Sequence, residues 1–466
     1  MNSIRHLLLP RKKSSTFNFK SLIFSDHFSH TLASNTTHSD TQTPIIAIAN
    51  ILSNCSSLHE LNQIYAQIIR TEFLKFYPDQ FHWNNIIRSY TRLDAPTKAL
   101  RVYISMSRCN VLPDSYTLPI ALKAACQAFA IGIGKQLHSV AIRVGLESNE
   151  YCESGFITLY SKSGEFEDAS KVFDENPERK LGSWNAIIGG LAQGGRAKEA
   201  IEMFIKMRKY GLEPDDVTMV SVTSACGSIG DFNLAIQLHK YVFQAKKRDG
   251  KSDILMLNSL IDMYGKCGRM DLADRVFSEM DQKNVSSWTS MIVGYAFHGH
   301  VNEAISCFHS MIEAKVRPNH VTFVGLLSAC VHGGQVQEGK KFFEMMKSVY
   351  GILPQQQHYG CMVDLLGRVG LVGEARELIE GMPMQPNVVI WGCLMGACEK
   401  FGDVKTAEWV GSHLQELEPW NDGGFVVLSN IYASKGLWYE VERVRRCMKL
   451  QRVAKVPAYS LATCSN

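Results

Sequence analysis

The chain has no run of eighteen uncharged apolar residues in its 466 positions. It therefore holds no segment able to cross a bilayer as a helix, and no membrane partner is expected. It has no C-x-x-C pair and no H-E-x-x-H motif, and its 13 cysteines and 15 histidines form no close cluster. Metal-ligand spacing is missing, so no metal site and no cofactor are assigned. An excess of charge is missing as well: Lys and Arg number 49 against 45 Asp and Glu, a net +4. The first 44 residues hold five basic and two acidic ones, which leaves 44 against 43, or +1, for the rest. A nucleic-acid domain usually carries a stronger basic excess. Any such site here must be a local concave face.

What the chain does have is repetition. SWNAIIGGLAQGGRAKEAIEMFIKMRKYGLEPD (183–215), HWNNIIRSYTRLDAPTKALRVYISMSRCNVLPD (82–114) and SWTSMIVGYAFHGHVNEAISCFHSMIEAKVRPN (287–319) align over 33 residues without a gap. Trp83, Trp184 and Trp288 recur, followed 16 residues later by Ala99, Ala200 and Ala304, 23 later by Met106, Met207 and Met311, and 30 later by Pro113, Pro214 and Pro318. Trp391 continues the series 103 residues beyond Trp288. Two other units fill the intervals. One contains LKAACQAFAIGIGKQLHS (122–139), VTSACGSIGDFNLAIQLHK (222–240) and LLSACVHGGQVQEGKKFFE (326–344); the other contains FITLYSKSGEFEDASKVFDENP (156–177), SLIDMYGKCGRMDLADRVFSEM (259–280) and CMVDLLGRVGLVGEARELIEGMP (361–383). A cycle of three variants, each about 31 to 40 residues long, is the signature of a solenoid.

Each unit reads as a helical hairpin. Trp184, Ile187, Ile188 and Leu191 fall at i, i+3, i+4 and i+7, one apolar stripe. After a Gly-Gly break, Ala200, Met203, Phe204 and Met207 repeat that spacing, and Gly211 and Pro214 supply a stop. Two such helices cannot bury both stripes alone, so about ten hairpins stack into a curved all-α superhelix whose stability lies in its repeat-to-repeat interfaces. Cys126, Cys226 and Cys330 share one place in AAC, SAC and SAC, as expected of small buried apolar residues in a reduced compartment. His138 and His239 also share one slot, a structural or surface role rather than a ligand's.

Residues 1–44 stand outside the pattern. They carry Arg5, Arg11, Lys12, Lys13 and Lys20, no acid before Asp26, and Ser or Thr at 14 of 44 positions. That composition is a transit peptide's. Arg and Leu come early, which favours the mitochondrion, with the chloroplast as alternative.

Beside the packing stripe, about 100° around the helix from each Trp, sit Asn84, Asn185 and Thr289. Asp114, Asp215 and Asn319 close the same three units, 30 residues on. An amide or carboxylate pair at that junction can address the Watson–Crick edge of a base. An Asp or Asn after Pro and before a helix is equally suited to be an N-cap, and both roles stay open.

These units resemble plant pentatricopeptide repeats of the PLS subfamily over nearly all of 45–461. WNxxIxxxxxxGxxxEAxxxFxxMxxxxxxPD marks the P-type repeat, LxxAC the L-type and LxxxYxKxGxxxxAxxVFxEM the S-type. Tetratricopeptide repeats share the period, but would show Trp-x-x-Leu-Gly where WNAII stands here. The resemblance implies a right-handed superhelical solenoid: a degenerate repeat over 45–79, the array over 80–386, an extension over 387–461 and a tail over 462–466. It also implies that each repeat addresses about one nucleotide of single-stranded organellar RNA through its fifth and last residues. The P-type pairs are Asn84 with Asp114, Asn185 with Asp215, and Thr289 with Asn319; in the family's code Asn/Asp prefers U and Thr/Asn prefers A. Asn258 with Asn284, an S-type pair, fits a pyrimidine. Ser154 with Lys180 departs from the usual combinations and is unassigned, and the L-type slots hold Pro119, Val220 and Val324, which offer no side-chain hydrogen bond.

The stretch from Asn387 to Lys449 is similar to the family's E-type extension of two degenerate repeats, typical of specificity factors for C-to-U editing. The DYW deaminase domain that many relatives carry needs H-x-E and C-x-x-C for its zinc and general acid/base. Neither motif occurs in this sequence, so no catalysis in cis is expected. The resemblance implies a DYW-type deaminase acting in trans, with MORF-type accessory proteins. The basic run RVRRCMKLQRVAK (443–455) could contact phosphates or a partner, or form a solvated terminal helix. A role in organellar splicing, RNA stability or translation, or as a protein-binding helical scaffold, is the alternative.

Overall fold

The computed structural model describes residues 42–76, 78–249, 254–450 and 453. The segment read as a transit peptide, up to residue 41, and the tail 462–466 lie outside the described residues. Among the described residues there are 25 helices and no strand, the all-α architecture that the periodicity implies.

Short turns join the two helices of each hairpin. Gln80–Arg92 is followed by Pro96–Arg108, and Val285–Phe297 by Val301–Glu313. The turn is closed by one residue in the left-handed region, where glycine has no Cβ to strain the backbone: Gly195 at φ 78° and Gly299 at φ 72°. Asp94, at φ 53°, fills the same position in the first of the three copies, a conformation that Asp tolerates better than most residues. In all three the next backbone N–H reaches back five residues, from Ala95 to Tyr90 O, Arg196 to Leu191 O and His300 to Tyr295 O, each at 2.9 Å. That bond satisfies a carbonyl that the helix end would otherwise leave unpaired.

The chain divides into two compact units, residues 1–190 and 191–466. In the first, Gln80–Arg92, Thr117–Gln127 and Glu150–Lys162 pack side by side, each backed by the second helix of its own hairpin, Pro96–Arg108, Ile131–Val144 and Phe166–Glu175. In the second, the row runs Asp216–Ile229, Ile254–Lys266, Val285–Phe297, His320–Gly333, Gln356–Arg368, Val388–Phe401 and Asp422–Ser434. Each of these helices touches the next and its own partner. Both rows of first helices carry candidate site residues.

The residues that recur in sequence are the ones that make the interfaces. Ala99, Ala200, Ala304, Met106, Met207 and Met311 are wholly buried; alanine lets two helices approach closely, and the flexible thioether fills what remains. Trp184 meets Phe173 edge-on at 4.8 Å, and Trp288 meets Phe277 in the same way at 4.8 Å. A second contact also repeats, between His138 Nδ1 and the Tyr160 hydroxyl at 2.9 Å and between His239 Nδ1 and the Tyr264 hydroxyl at 2.7 Å. These histidines are half-buried packing residues, and burial lowers their basicity. Cys226 and Cys330 are fully buried, and burial pushes their thiols up to about 12, as befits packing residues rather than nucleophiles.

Candidate nucleic-acid interface

The closing residue of each unit stands at the N-terminus of the next first helix, where backbone N–H groups lack helical partners. Asp114 Oδ1 accepts from the N–H groups of Thr117 at 2.7 Å and Tyr116 at 2.9 Å and from the Thr117 hydroxyl at 2.8 Å. Asn84, 7% exposed, donates its amide to Asp114 at 3.2 Å to Oδ1 and 3.5 Å to Oδ2. Partial burial alone would raise the Asp114 carboxyl. The donors from Thr117, Tyr116 and Asn84 outweigh it and hold the group below the usual carboxylate range. The fifth and last residues of this unit are thus brought together, and the last one caps as well.

Asn258 and Asn284 form the same arrangement in the second compact unit. Asn258 Nδ2 donates to Asn284 Oδ1 at 3.2 Å, and that oxygen also accepts from the Ser287 N–H at 3.1 Å and hydroxyl at 3.2 Å. Asn258 Oδ1 and Asn84 Oδ1 are buried acceptors with no hydrogen-bond partner. A hollow of about 440 Å³ opens beside the Asn258–Asn284 pair, walled by Val220, Ile254 and Leu255 as well as by the two amides and Ser286. It offers apolar faces and a polar edge in one place.

Thr289 and Asn319 are joined through a third residue. Thr289 Oγ1 lies 2.8 Å from Thr322 Oγ1, and Asn319 Oδ1 accepts from the Thr322 N–H and hydroxyl, both at 3.0 Å. Asn185 and Asp215 fall in different compact units: Asn185 is half-buried on Leu181–Gln193, and Asp215 caps Asp216–Ile229 through the Thr218 N–H at 2.8 Å. Lys180 has no acceptor to offer and instead pairs with Glu150 at 3.4 Å, while Ser154 turns to the Tyr151 carbonyl.

Matches to known families follow this geometry. Residues 78–127, 179–228 and 283–332 match the PPR repeat family, and 154–175, 255–285, 321–349 and 358–385 match the PPR repeat. A mitochondrial pentatricopeptide repeat-containing protein of Arabidopsis thaliana is 60% identical over 438 residues, 94% of each chain. The chain belongs to the pentatricopeptide repeat family. A chloroplastic/mitochondrial pentatricopeptide repeat-containing protein of the same plant is 36% identical over 92% of this chain and 69% of its own. Residues 401–462 match the E motif. The crystal structure of the pentatricopeptide repeat protein PPR10 from maize superposes with a TM-score of 0.53 over 89% of this chain and 68% of that one, at 16% identity. The same maize protein in complex with an 18-nt psaJ RNA element gives 0.55 over 89% and 65%, also at 16%. At that identity the likeness carries the solenoid fold alone.

Other features of this pentatricopeptide repeat chain sort themselves around that site. Pro119, Val220 and Val324 are half-buried and supply no polar atom from their side chains. No helix of the described residues is long and apolar enough to cross a membrane, and no group of three potential metal ligands occurs among them. In the basic run near the end, Arg443 pairs with Glu440, Arg446 with Glu442, and Arg445 with the Ser429 hydroxyl, which is the pattern of a solvated, packed helix. The residues that sequence reasoning missed are the hydroxyls of Thr117, Thr218, Ser287 and Thr322, each three places after a closing Asp or Asn. The Asp/Asn-x-x-Ser/Thr spacing, a variant of the capping box, was the available signal.

Proposed function

We propose that this pentatricopeptide repeat protein binds single-stranded organellar RNA in a sequence-specific manner and acts as a site-specificity factor for C-to-U editing, with the deaminase supplied in trans. The observation that carries the reading is the pairing of fifth and last residues, Asn84 with Asp114 and Asn258 with Asn284, each beside a buried acceptor that has no partner. An unpaired buried polar group costs about 1–3 kcal/mol, a cost that a base donor brought within reach offsets. The maize relative's complex with an RNA element supports the ligand class. Taken in hairpin order, the slots call for U, two unassigned positions, U, one unassigned position, a pyrimidine and then A.

The E motif supports editing, and the surface around it supports a partner. Trp420, Trp438 and Tyr439 are 75%, 68% and 80% exposed, and exposed aromatics of that size are enriched where proteins dock. A DYW-type deaminase and MORF-type accessory proteins are the proposed occupants. The mitochondrial Arabidopsis relative and the basic, Ser/Thr-rich leader support a mitochondrial address, with the chloroplast as alternative.

Organellar RNA from plants lacking the chain, sequenced at every cytidine edited in the wild type, tests this. Loss of editing at one or a few sites whose flanking sequence matches the slots is the expected result. Intact editing with loss of splicing or of a transcript end would transfer the array to another RNA role. No change in any transcript would favour a protein scaffold.

A further inference from the structure

Thr117, Thr218, Ser287 and Thr322 have no solvent exposure. Each lies three residues after a closing Asp or Asn, in the first turn of a first helix, and makes the same two bonds to that closing residue. The hydroxyl accepts the closing residue's backbone N–H, at 3.2 Å from Asp114, 3.3 Å from Asp215, 3.2 Å from Asn284 and 3.2 Å from Asn319. It donates to that residue's Oδ1, at 2.8, 2.8, 3.2 and 3.0 Å respectively. We infer that this buried hydroxyl decides which atom of the closing residue is left for the RNA, and is therefore a positioning residue for base recognition; the inference rests on the base-reading function proposed above.

A hydroxyl has one hydrogen. Once it is committed to Oδ1, a closing Asn cannot turn its amide over, because Nδ2 would then face both the hydroxyl hydrogen and the third residue's N–H. The amide is held with its oxygen inward, which leaves Nδ2 of Asn284 and of Asn319 as the remaining donor. With closing Asp114 the same lock turns Oδ2, an acceptor 3.5 Å from the Asn84 amide, away from the hydroxyl. At Thr322 the hydrogen goes to Asn319, so in the 2.8 Å contact Thr289 is the donor, and the lone pairs of Thr289 Oγ1 remain. An acceptor beside a donor matches the amino group and N1 of adenine, or the amino group and N3 of cytosine. Uracil and guanine present the reverse order, a carbonyl beside an N–H. A closing Asn held in this way thus separates A and C from U and G, and the Asn258–Asn284 slot narrows from a pyrimidine to C.

Lys180 supplies the counter-example within the same chain. It offers no acceptor, and the hydroxyl three places on, Ser183, is fully buried and makes no hydrogen bond. Where the closing residue cannot be held, the assigned pairing is missing too.

The test uses the full-length chain on a randomised single-stranded RNA pool, then on the selected RNA carrying each of the four bases at one nucleotide. Asn319→Asp identifies that nucleotide by switching its preference. Wild type is expected to favour A over U and G there by about tenfold. Thr322→Val, close to isosteric in its buried site, is expected to bring the ratio near unity at that nucleotide alone, and Thr322→Ser to restore it. Should Thr322→Val fail to fold by circular dichroism, Ser287→Ala reads the same effect at the Asn284 slot, where U becomes as acceptable as C. A ratio unchanged in Thr322→Val, with affinity lowered equally for all four bases, overturns the inference and leaves the hydroxyl a helix cap. A wild type indifferent to the base would instead overturn base reading itself, and this inference with it.

Discussion

Asn84 and Asp114 stand 30 residues apart in sequence and 3.2 Å apart in space. The contact closes the hairpin and holds its two polar ends as one unit, and the two residues do not contribute alike. Asn84→Ala should remove selectivity at one nucleotide, a loss of about 1–3 kcal/mol by analogy with base-edge readout, with little change in melting temperature. Asp114→Ala should lose that selectivity and also the cap, about 1 kcal/mol of stability. Binding to RNAs varied at one position, beside thermal melts of both variants, separates the two contributions. Equal destabilisation with unaltered selectivity would return both residues to a purely structural role.

Two glycines with equally empty surroundings should respond in opposite directions. Gly299 and Gly392 have nothing within 4 Å of where a Cβ would stand, but Gly299 lies at φ +72° and Gly392 lies inside Val388–Phe401. Gly299→Ala should cost about 1 kcal/mol from backbone strain, and Gly392→Ala should stabilise by up to about 1 kcal/mol through helix propensity. Chemical denaturation of the two variants decides this.

Acid should weaken the second compact unit through His358. This residue takes the third-position place that Thr322 holds in the preceding repeat. Its Nδ1 accepts from the Gln355 N–H at 3.0 Å, and its Nε2–H donates to the His320 carbonyl at 2.8 Å. Burial lowers its pKa below 6.5, with His320 adding to the effect against the hydrogen bonds from Gln355 and to His320. The unfolded chain then binds a proton before the folded one does, so stability is full above about pH 6.5 and falls as the pH drops towards the folded value. His358→Thr should flatten that dependence of the melting temperature between neutral and mildly acid pH. An unchanged slope would place the acid sensitivity elsewhere.

The exposed aromatics of the E-motif region should matter to a partner and not to the fold. Trp438→Ala with Tyr439→Ala, both on open surface, should alter stability by no more than about 0.5 kcal/mol and leave RNA affinity intact. Editing in complemented mutant plants should fail. Restored editing at wild-type levels would move the docking surface away from this helix.

The hairpins and their core were legible in the sequence because a solenoid repeats its interfaces: Trp184, Ala200 and Met207 are buried for the same reason as Trp288, Ala304 and Met311. The closing Asp and Asn could be read as caps or as base readers; the structure shows the capping bonds, and these do not exclude the proposed reading, since one carboxylate has two oxygens and one amide two kinds of atom. The bridge from Thr289 to Thr322 was not legible. It depends on how closely two neighbouring first helices approach, a distance that no spacing within a repeat encodes. The Lys180–Glu150 pair escaped for the same reason, and the relation of Asn185 to Asp215 spans the two compact units.

The most direct test of base reading is selection of a randomised single-stranded RNA pool on the purified full-length chain, followed by sequencing of what is retained. One recurring pattern is expected in hairpin order: a U, a second U three places on, and after one unassigned place a pyrimidine followed by A. Asn84→Ala should erase the first U and nothing else. Retention of RNA without any sequence preference, or a preferred sequence untouched by that substitution, would contradict the claim that these paired side chains read the bases.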